Sequence, residues 1–243
     1  MNFPLNNATL CIFCVLIIAA EVRRHMRPAY LLIIIVIGLC GCGGETTFNH
    51  PFGSNGPVQT FERPATDNIS SEPIRRVLES AREQITTTTH YTQDYRVIPY
   101  PGGDMPADTG ACTDVVIRAF RKAGVDLQKE VHEDMAANFS AYPQKWGLKA
   151  TDTNIDHRRV PNLQRFFTRR GKAVAISSDG SNYQPGDVVT WDLDGKGMTH
   201  IGIVSNDWND HDKRYLIIHN IGGGVQEEDR LFNWKITGHY RYF

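Results

Sequence analysis

At 243 residues the chain has room for one globular domain plus an export segment, and 41% hydrophobic residues suffice to fill a core. The formal net charge is -1 with basic and acidic residues interspersed, so no basic face recommends a nucleic-acid partner, and that class is set aside. Four of the 5 cysteines, Cys11, Cys14, Cys40 and Cys42, lie near the N-terminus, which leaves Cys112 as a lone thiol further on.

Two apolar runs, Leu10 to Ala20 and Ala29 to Gly41, flank the polar stretch Glu21-Val22-Arg23-Arg24-His25-Met26-Arg27. Neither reaches the roughly 20 residues of a spanning helix, and the second ends in small residues, which is a signal-peptide profile. The run Leu39-Cys40-Gly41-Cys42 resembles a bacterial lipobox, whose last cysteine becomes the lipidated first residue of the mature protein. This resemblance assigns residues 1–42 to a signal peptide, lipidation to Cys42 and a membrane attachment to the lipid, with Met26 as an alternative start. A plain secretory signal or short anchor is the other reading, and both place the domain outside the cytoplasm. Gly43 is not the aspartate that retains Gram-negative lipoproteins at the inner membrane, so the expected location is periplasmic or cell-surface, at the outer membrane in a Gram-negative cell. Residues 43–68, rich in Gly, Pro, Asn, Ser and Thr, read as a flexible tether, and 69–243 as the folded domain.

Ser70 and Ser71 can cap a helix carrying Ile74, Val77, Leu78, Ala81 and Ile85 at a 3.6-residue period, with Pro73 tolerated in its first turn. Tyr91 to Tyr100 is predicted extended, and the Pro101-Gly102-Gly103-Asp104 turn then leads to Cys112. After Cys112 the apolar positions Val115, Val116, Ala119, Phe120 and Ala123 predict a helix to about Gly124. Leu127, Val131, Met135 and Phe139 mark a second helix closed by Pro143. A third follows Pro161, with Leu163, Phe166 and Phe167 inside and Gly171 as its stop. Beyond Gly186 the short β-prone runs Val188 to Trp191, Thr199 to Val204, Tyr215 to Asn220 and Gly238 to Phe243 predict a sheet. Helices first and strands afterwards imply an α+β domain, with the Cys112 helix packed on an antiparallel sheet.

Cys112 shares the apolar face of its helix, so its thiol points inward, while the first-turn amides favour the thiolate. It reads as a nucleophile that is accessible and acidic relative to a free thiol; the alternative is a small buried hydrophobe. In Thr199-His200-Ile201-Gly202-Ile203-Val204, alternation puts His200 beside Gly202 on one face and Ile201 with Ile203 on the other. The run Leu216-Ile217-Ile218-His219-Asn220 offers His219, with Asn220 on the opposite face. A thiol, a base and a group that orients the base are the minimum for an activated cysteine. His132-Glu133-Asp134 and Asp156-His157 lack a second histidine at zincin spacing, so no metal and no cofactor is expected. Asp114 suits the helix dipole better than a catalytic role. Trp191, Trp208 and Trp234 read as core aromatics rather than groove walls.

Tyr100 with Gly102-Gly103, twelve residues before Cys112, then Gly186-Asp187, His200-Ile201-Gly202-Ile203 and Ile217-Ile218-His219 follow a known order. This pattern resembles the NlpC-type, papain-like cysteine peptidases and CHAP-related amidases that act on bacterial cell-wall peptides. The resemblance implies a papain-like fold with Cys112 as nucleophile, His200 as general base and acid, and His219 as the orienting group. It also makes Tyr100 a substrate-binding neighbour; Asn220 is the alternative orienter. Cys112-Thr113-Asp114-Val115-Val116, His157 to Leu163 and Gly238 to Tyr242 are more closely similar to an uncharacterised bacterial family placed near that superfamily. The usual Asp-Cys-Ser-Gly reads Ala111-Cys112-Thr113-Asp114 here, and His219 lies nineteen residues beyond His200. The long interval from Leu127 to Gly171 is expected to build an added wall over the groove. Arg158 and Arg159 could clamp a stem-peptide carboxylate, or be ordinary surface charge. Three functions compete: a monomeric cysteine hydrolase (peptidase or amidase) acting on peptidoglycan stem peptides, a catalytically idle envelope lipoprotein that binds wall peptides or a protein partner, and an acyltransferase on the same fold.

Overall fold

The computed structural model describes residues 69–243. The signal peptide, the lipobox with Cys42 and the tether lie outside the described residues. Among the described residues no helix is long and apolar enough to cross a membrane.

Helix α1 (Glu72–Thr87) buries Val77, Leu78 and Ala81 along one face. Its N-cap Ser71 makes no side-chain cap bond, contrary to the capping expectation; Glu72, in the first turn, instead complements the dipole. Of the predicted extended stretch Tyr91 to Tyr100 only Tyr91 lies in a strand. β1 (His90–Tyr91) runs parallel to β2 (Thr109–Gly110) and sets Tyr91 opposite Gly110, two residues before Cys112. Helix α2 (Cys112–Lys122) follows at once and ends at Gly124, whose φ of 89° is open to glycine at little cost.

Helix α3 (Leu127–Ala137) is capped by Asp126, whose carboxylate accepts the Gln128 N–H. It stops before Phe139 because the Asn138 side chain donates to the Asp134 carbonyl, and Phe139–Ala141 forms a separate 3-10 turn. Another 3-10 turn, Asp156–Arg158, leads into α4 (Val160–Arg169), which carries Pro161 in its first turn.

The sheet has β3 (Val188–Asp192), β4 (Thr199–Asn209), β5 (Arg214–Asn220), β6 (Val225–Glu228) and β7 (Lys235–Tyr240), in the order β6-β5-β4-β3-β7, every neighbour antiparallel. One face, with Val188, Ile201, Ile203 and Ile218, packs with Val115, Val116 and Phe120 of α2, together with α1 and α4. The other, with Val189, Trp191, Val204 and Ile217, closes on Tyr183 and Leu231 from the loops. Each such large apolar side chain contributes on the order of 2 kcal/mol by leaving water, so α2 is fixed to the sheet along its whole apolar stripe. Asp187 ties the start of β3 to the chain end: its carboxylate takes His239 Nε2 at 2.7 Å and both Arg241 Nε and Nη2, at 2.8 and 2.7 Å. The domain is therefore α+β, with the Cys112 helix on an antiparallel sheet. β6 was not anticipated, since Val-Gln-Glu-Glu carries no apolar alternation; it forms because the edge of β5 supplies the ladder.

Candidate active site

Cys112 is the first residue of α2, 5% exposed. Two residues along, the Asp114 carboxylate accepts the Ala111 N–H at 2.6 Å and so fixes the turn by which the chain enters the helix. The same carboxylate holds Arg158 in a bidentate pair, Nε to Oδ1 at 2.9 Å and Nη2 to Oδ2 at 3.0 Å, with both side chains 3% exposed. The sulfur faces the backbone amides of Ile201, Thr113 and Cys112 itself.

Burial decides the protonation state of that sulfur. Desolvation pushes the Cys112 thiol up to about 12, outweighing the three amides that pull the other way. The expectation of an accessible, acidic cysteine is corrected accordingly: the helix start is present, but the thiol points into the interface with β4 rather than into solvent.

Ile201 immediately follows His200 in β4, but the two side chains face opposite ways: Ile201 packs with Cys112 on the α2 face, and His200 packs with Trp191 and Trp234 on the other. His200 Nε2 lies 2.7 Å from His219 Nδ1, and His219 Nε2 lies 3.3 Å from Glu228 Oε2. Arg230 donates from Nε to the same Glu228 oxygen at 2.9 Å and holds that carboxyl below its ordinary range, as does the contact with His219. The hydrogen-bond network orders the tautomers. Ionised Glu228 accepts from His219 Nε2–H, which leaves His219 Nδ1 as an acceptor. That nitrogen then takes His200 Nε2–H, and the remaining nitrogen, His200 Nδ1, carries the lone pair. Burial, and next the neighbouring His219, push His200 down to about 3; burial also lowers His219, against the pull of Glu228. Trp191 and Trp234 pack their rings 5.7 and 5.9 Å from His200 and exclude water. Gly202 makes the pairing possible, because a Cβ there would stand 2.8 Å from Ile217 and 3.2 Å from the Cβ of His219.

The other expected site residues are distributed differently. Asn220 does not approach His200; its amide donates 2.9 Å to the Gly110 carbonyl and braces the chain just ahead of Cys112. Tyr100 is half-exposed with its ring 5.1 Å from His132, outside the cleft; the short β1–β2 pairing brings Tyr91 to the cysteine in its place. Burial and the adjacent Cys112 raise the Tyr91 phenol. Arg158 lines the cleft but is no free clamp, because all three of its guanidinium nitrogens are engaged by Asp114, the Asp94 carbonyl and the Thr92 carbonyl. Arg159 also lines it, with its guanidinium 4.2 Å above the Trp146 ring. The cleft beside Cys112 encloses about 340 Å³, and one wall comes from Trp146, Ile155, Val160 and Pro161 of the long segment between α2 and β3. Trp191 is fully buried, and Trp208 packs on Tyr215 at 4.8 Å. Tyr91, Trp146 and Glu228 were missed by sequence reasoning; only Trp146, an isolated aromatic in a polar loop, offered any signal. Among the described residues no group of three His, Cys, Asp or Glu could hold a metal ion.

The raised thiol predicts a pH profile for alkylation. Only the thiolate reacts, so labelling of the folded protein is expected to climb through pH 9 without a plateau and to be slower at pH 7 than labelling of the unfolded chain, whose thiol titrates near about 8.5. A plateau below pH 7 would instead reveal a preformed thiolate–imidazolium pair.

A family model described as "Domain of unknown function (DUF1287)" matches residues 78–242. The "Uncharacterized protein YijF" of Escherichia coli (strain K12) is 53% identical over 180 residues, which cover 74% of this chain and 87% of that protein. A crystal structure of an N-acetylmuramoyl-L-alanine amidase from Bacteroides uniformis ATCC 8492 aligns over 70% of this chain and 98% of its own, with a TM-score of 0.43 and 13% identity.

Proposed function

Because the chain belongs to the DUF1287 family, whose description assigns no chemistry, we propose its function from the site: a cell-envelope cysteine hydrolase that cleaves an amide bond in peptidoglycan, as a peptidase or an amidase. The observation that carries this reading is the directional chain Glu228–His219–His200, ending on the strand whose Ile201 amide faces the Cys112 sulfur. Because His200 packs on the other face of β4, the proposed proton transfer requires its ring to turn toward the thiol. The wall-peptide substrate rests on the resemblance of the cysteine, histidine and Gly-Asp motifs to NlpC-type enzymes.

In the proposed reaction His200 Nδ1 takes the thiol proton as sulfur attacks the amide carbon, since burial makes a resting ion pair costly. The oxyanion is met by the amides of Cys112 and Thr113, first-turn donors without intrahelical partners. Collapse breaks the C–N bond, and His200 returns the proton to the departing amine. Water then attacks the thioester, His200 accepts its proton, and the carboxylic product leaves as the thiol re-forms. Glu228 and His219 hold the tautomer in which Nδ1 is free to accept a proton at the start of each half-reaction.

One observation favours the second reading, a wall-peptide binder without turnover: the deep burial and high pKa of the thiol. Incubating purified peptidoglycan with the protein and identifying fragments by mass spectrometry separates the two. New amine and acid ends that depend on Cys112 support the hydrolase, and their position names the bond. Undigested wall, or equal digestion by Cys112→Ala, leaves the binder. The envelope assignment extends to the N-terminus, where we infer lipidation of Cys42; the protein is then expected to partition into detergent. Unchanged processing and membrane attachment in Cys42→Ser would remove the anchor.

A further inference from the structure

Arg158 and Arg159 are adjacent in sequence but differ in what they can still bind. Arg158 is consumed by Asp114 and two backbone carbonyls. Arg159 keeps one long ion pair among the described residues, Nη1 to Asp156 Oδ1 at 3.4 Å, and places its guanidinium carbon 4.2 Å over the Trp146 ring, with its side chain 15% exposed. Asp156 is a weak partner: its other oxygen already takes the Asp152 N–H, and burial raises its carboxyl above the ordinary range. Stacking on an indole fixes the plane of a guanidinium and leaves its edge for a planar acceptor.

The surroundings add a second, independent observation. The cleft beside Cys112 shares Pro161 and Thr199 with a further groove of about 360 Å³ that holds Lys145 and Arg165 on its exposed rim. No aspartate or glutamate lines either one. In a protein of net charge -1, a continuous trough lined by cations and free of acids is selective surface rather than average surface.

We propose that Arg159, braced on Trp146, is a specificity-determining residue that binds a carboxylate of the substrate beside the scissile amide, so that the trough selects acidic peptides over their carboxamide forms. This rests on the hydrolase reading for its substrate, while the binding step can be measured without turnover. The probes are a stem tetrapeptide released from peptidoglycan, with its carboxylates free, and the same peptide with them converted to primary amides.

Binding is measured by calorimetry on the full-length Cys112→Ala protein. The acid form is expected to bind at least about tenfold more tightly than the amide form, the scale of one charge-assisted hydrogen-bonded pair. Adding Arg159→Gln is expected to bring the two within about twofold of each other, and Arg159→Lys to restore part of the gap. In an active protein the same substitution should act mainly on KM. Equal binding of acid and amide, or an unaltered preference in Arg159→Gln with an unchanged melting temperature, overturns the inference and leaves the hydrolase reading standing. Acid-selective binding through Arg159 with no cleavage of either peptide by the wild type does the reverse.

Discussion

Cys112→Ala and His200→Ala are each expected to reduce cell-wall digestion by at least about a thousandfold, because one removes the atom that forms the proposed acyl-enzyme and the other the proposed base. The substitutions behind His200 should grade downward. His219→Ala deletes the acceptor 2.7 Å from His200 Nε2 and frees the base to adopt the wrong tautomer; a loss of roughly a hundredfold or more is expected. Glu228→Gln can still accept a hydrogen bond from His219 but no longer enforces its tautomer, and should cost about tenfold, the lower end for groups that orient a reacting residue. Asn220→Ala acts elsewhere. It strips the Gly110 carbonyl of its donor, so about 1–3 kcal/mol of stability is at stake while the chemistry of the folded fraction survives. Melting temperatures measured beside activities tell the two kinds of loss apart. Full activity in His219→Ala, with Asn220→Ala inactive yet folded, would transfer the orienting role; full activity in Cys112→Ala would end the hydrolase proposal.

Asp114→Ala is expected to be the most destabilising single change near the site, by about 3–5 kcal/mol, because it leaves the Arg158 guanidinium charged, buried and unpaired. For a domain of this size that corresponds to a melting temperature lower by roughly 6–20 °C. The loss of the Ala111 cap adds to it at the helix start that carries the thiol, so activity should fall even in the fraction that remains folded. The double variant Asp114→Leu/Arg158→Met removes both charges and should be far less destabilised than the sum of the single changes. A melting temperature for Asp114→Ala within 2–3 °C (roughly 1 kcal/mol) of the wild type would mean that the pair is not what holds the cleft floor.

The helices and most strands were legible along the chain because their signals are local. Val115, Val116, Ala119 and Phe120 recur at the helical period, and Ile201 with Ile203 alternates against His200 and Gly202, so each element declares the face it must bury. The choice between His219 and Asn220 was local in the same way: adjacent strand residues face opposite sides, which makes them exclusive candidates before any contact is known.

Position across space is a different matter. Tyr91 reaches the cleft through a strand pairing of two residues that carries no periodic signature. Glu228 stands behind His219 because the otherwise bare edge of β5 recruits a polar segment. The state of the thiol was read from its own helix, whose dipole lowers the pKa, yet it is governed by the desolvation that α2 suffers on packing against β4. Arg158 and Arg159 make the limit plainest. Identical side chains at adjacent positions become a buried strut and an arm laid over Trp146 at the cleft, because only one of them is met by the carboxylate of a residue 44 positions away. Residue type and period settle which face an element buries; which group waits on the other side is set by long-range packing, and with it the charge each site residue carries.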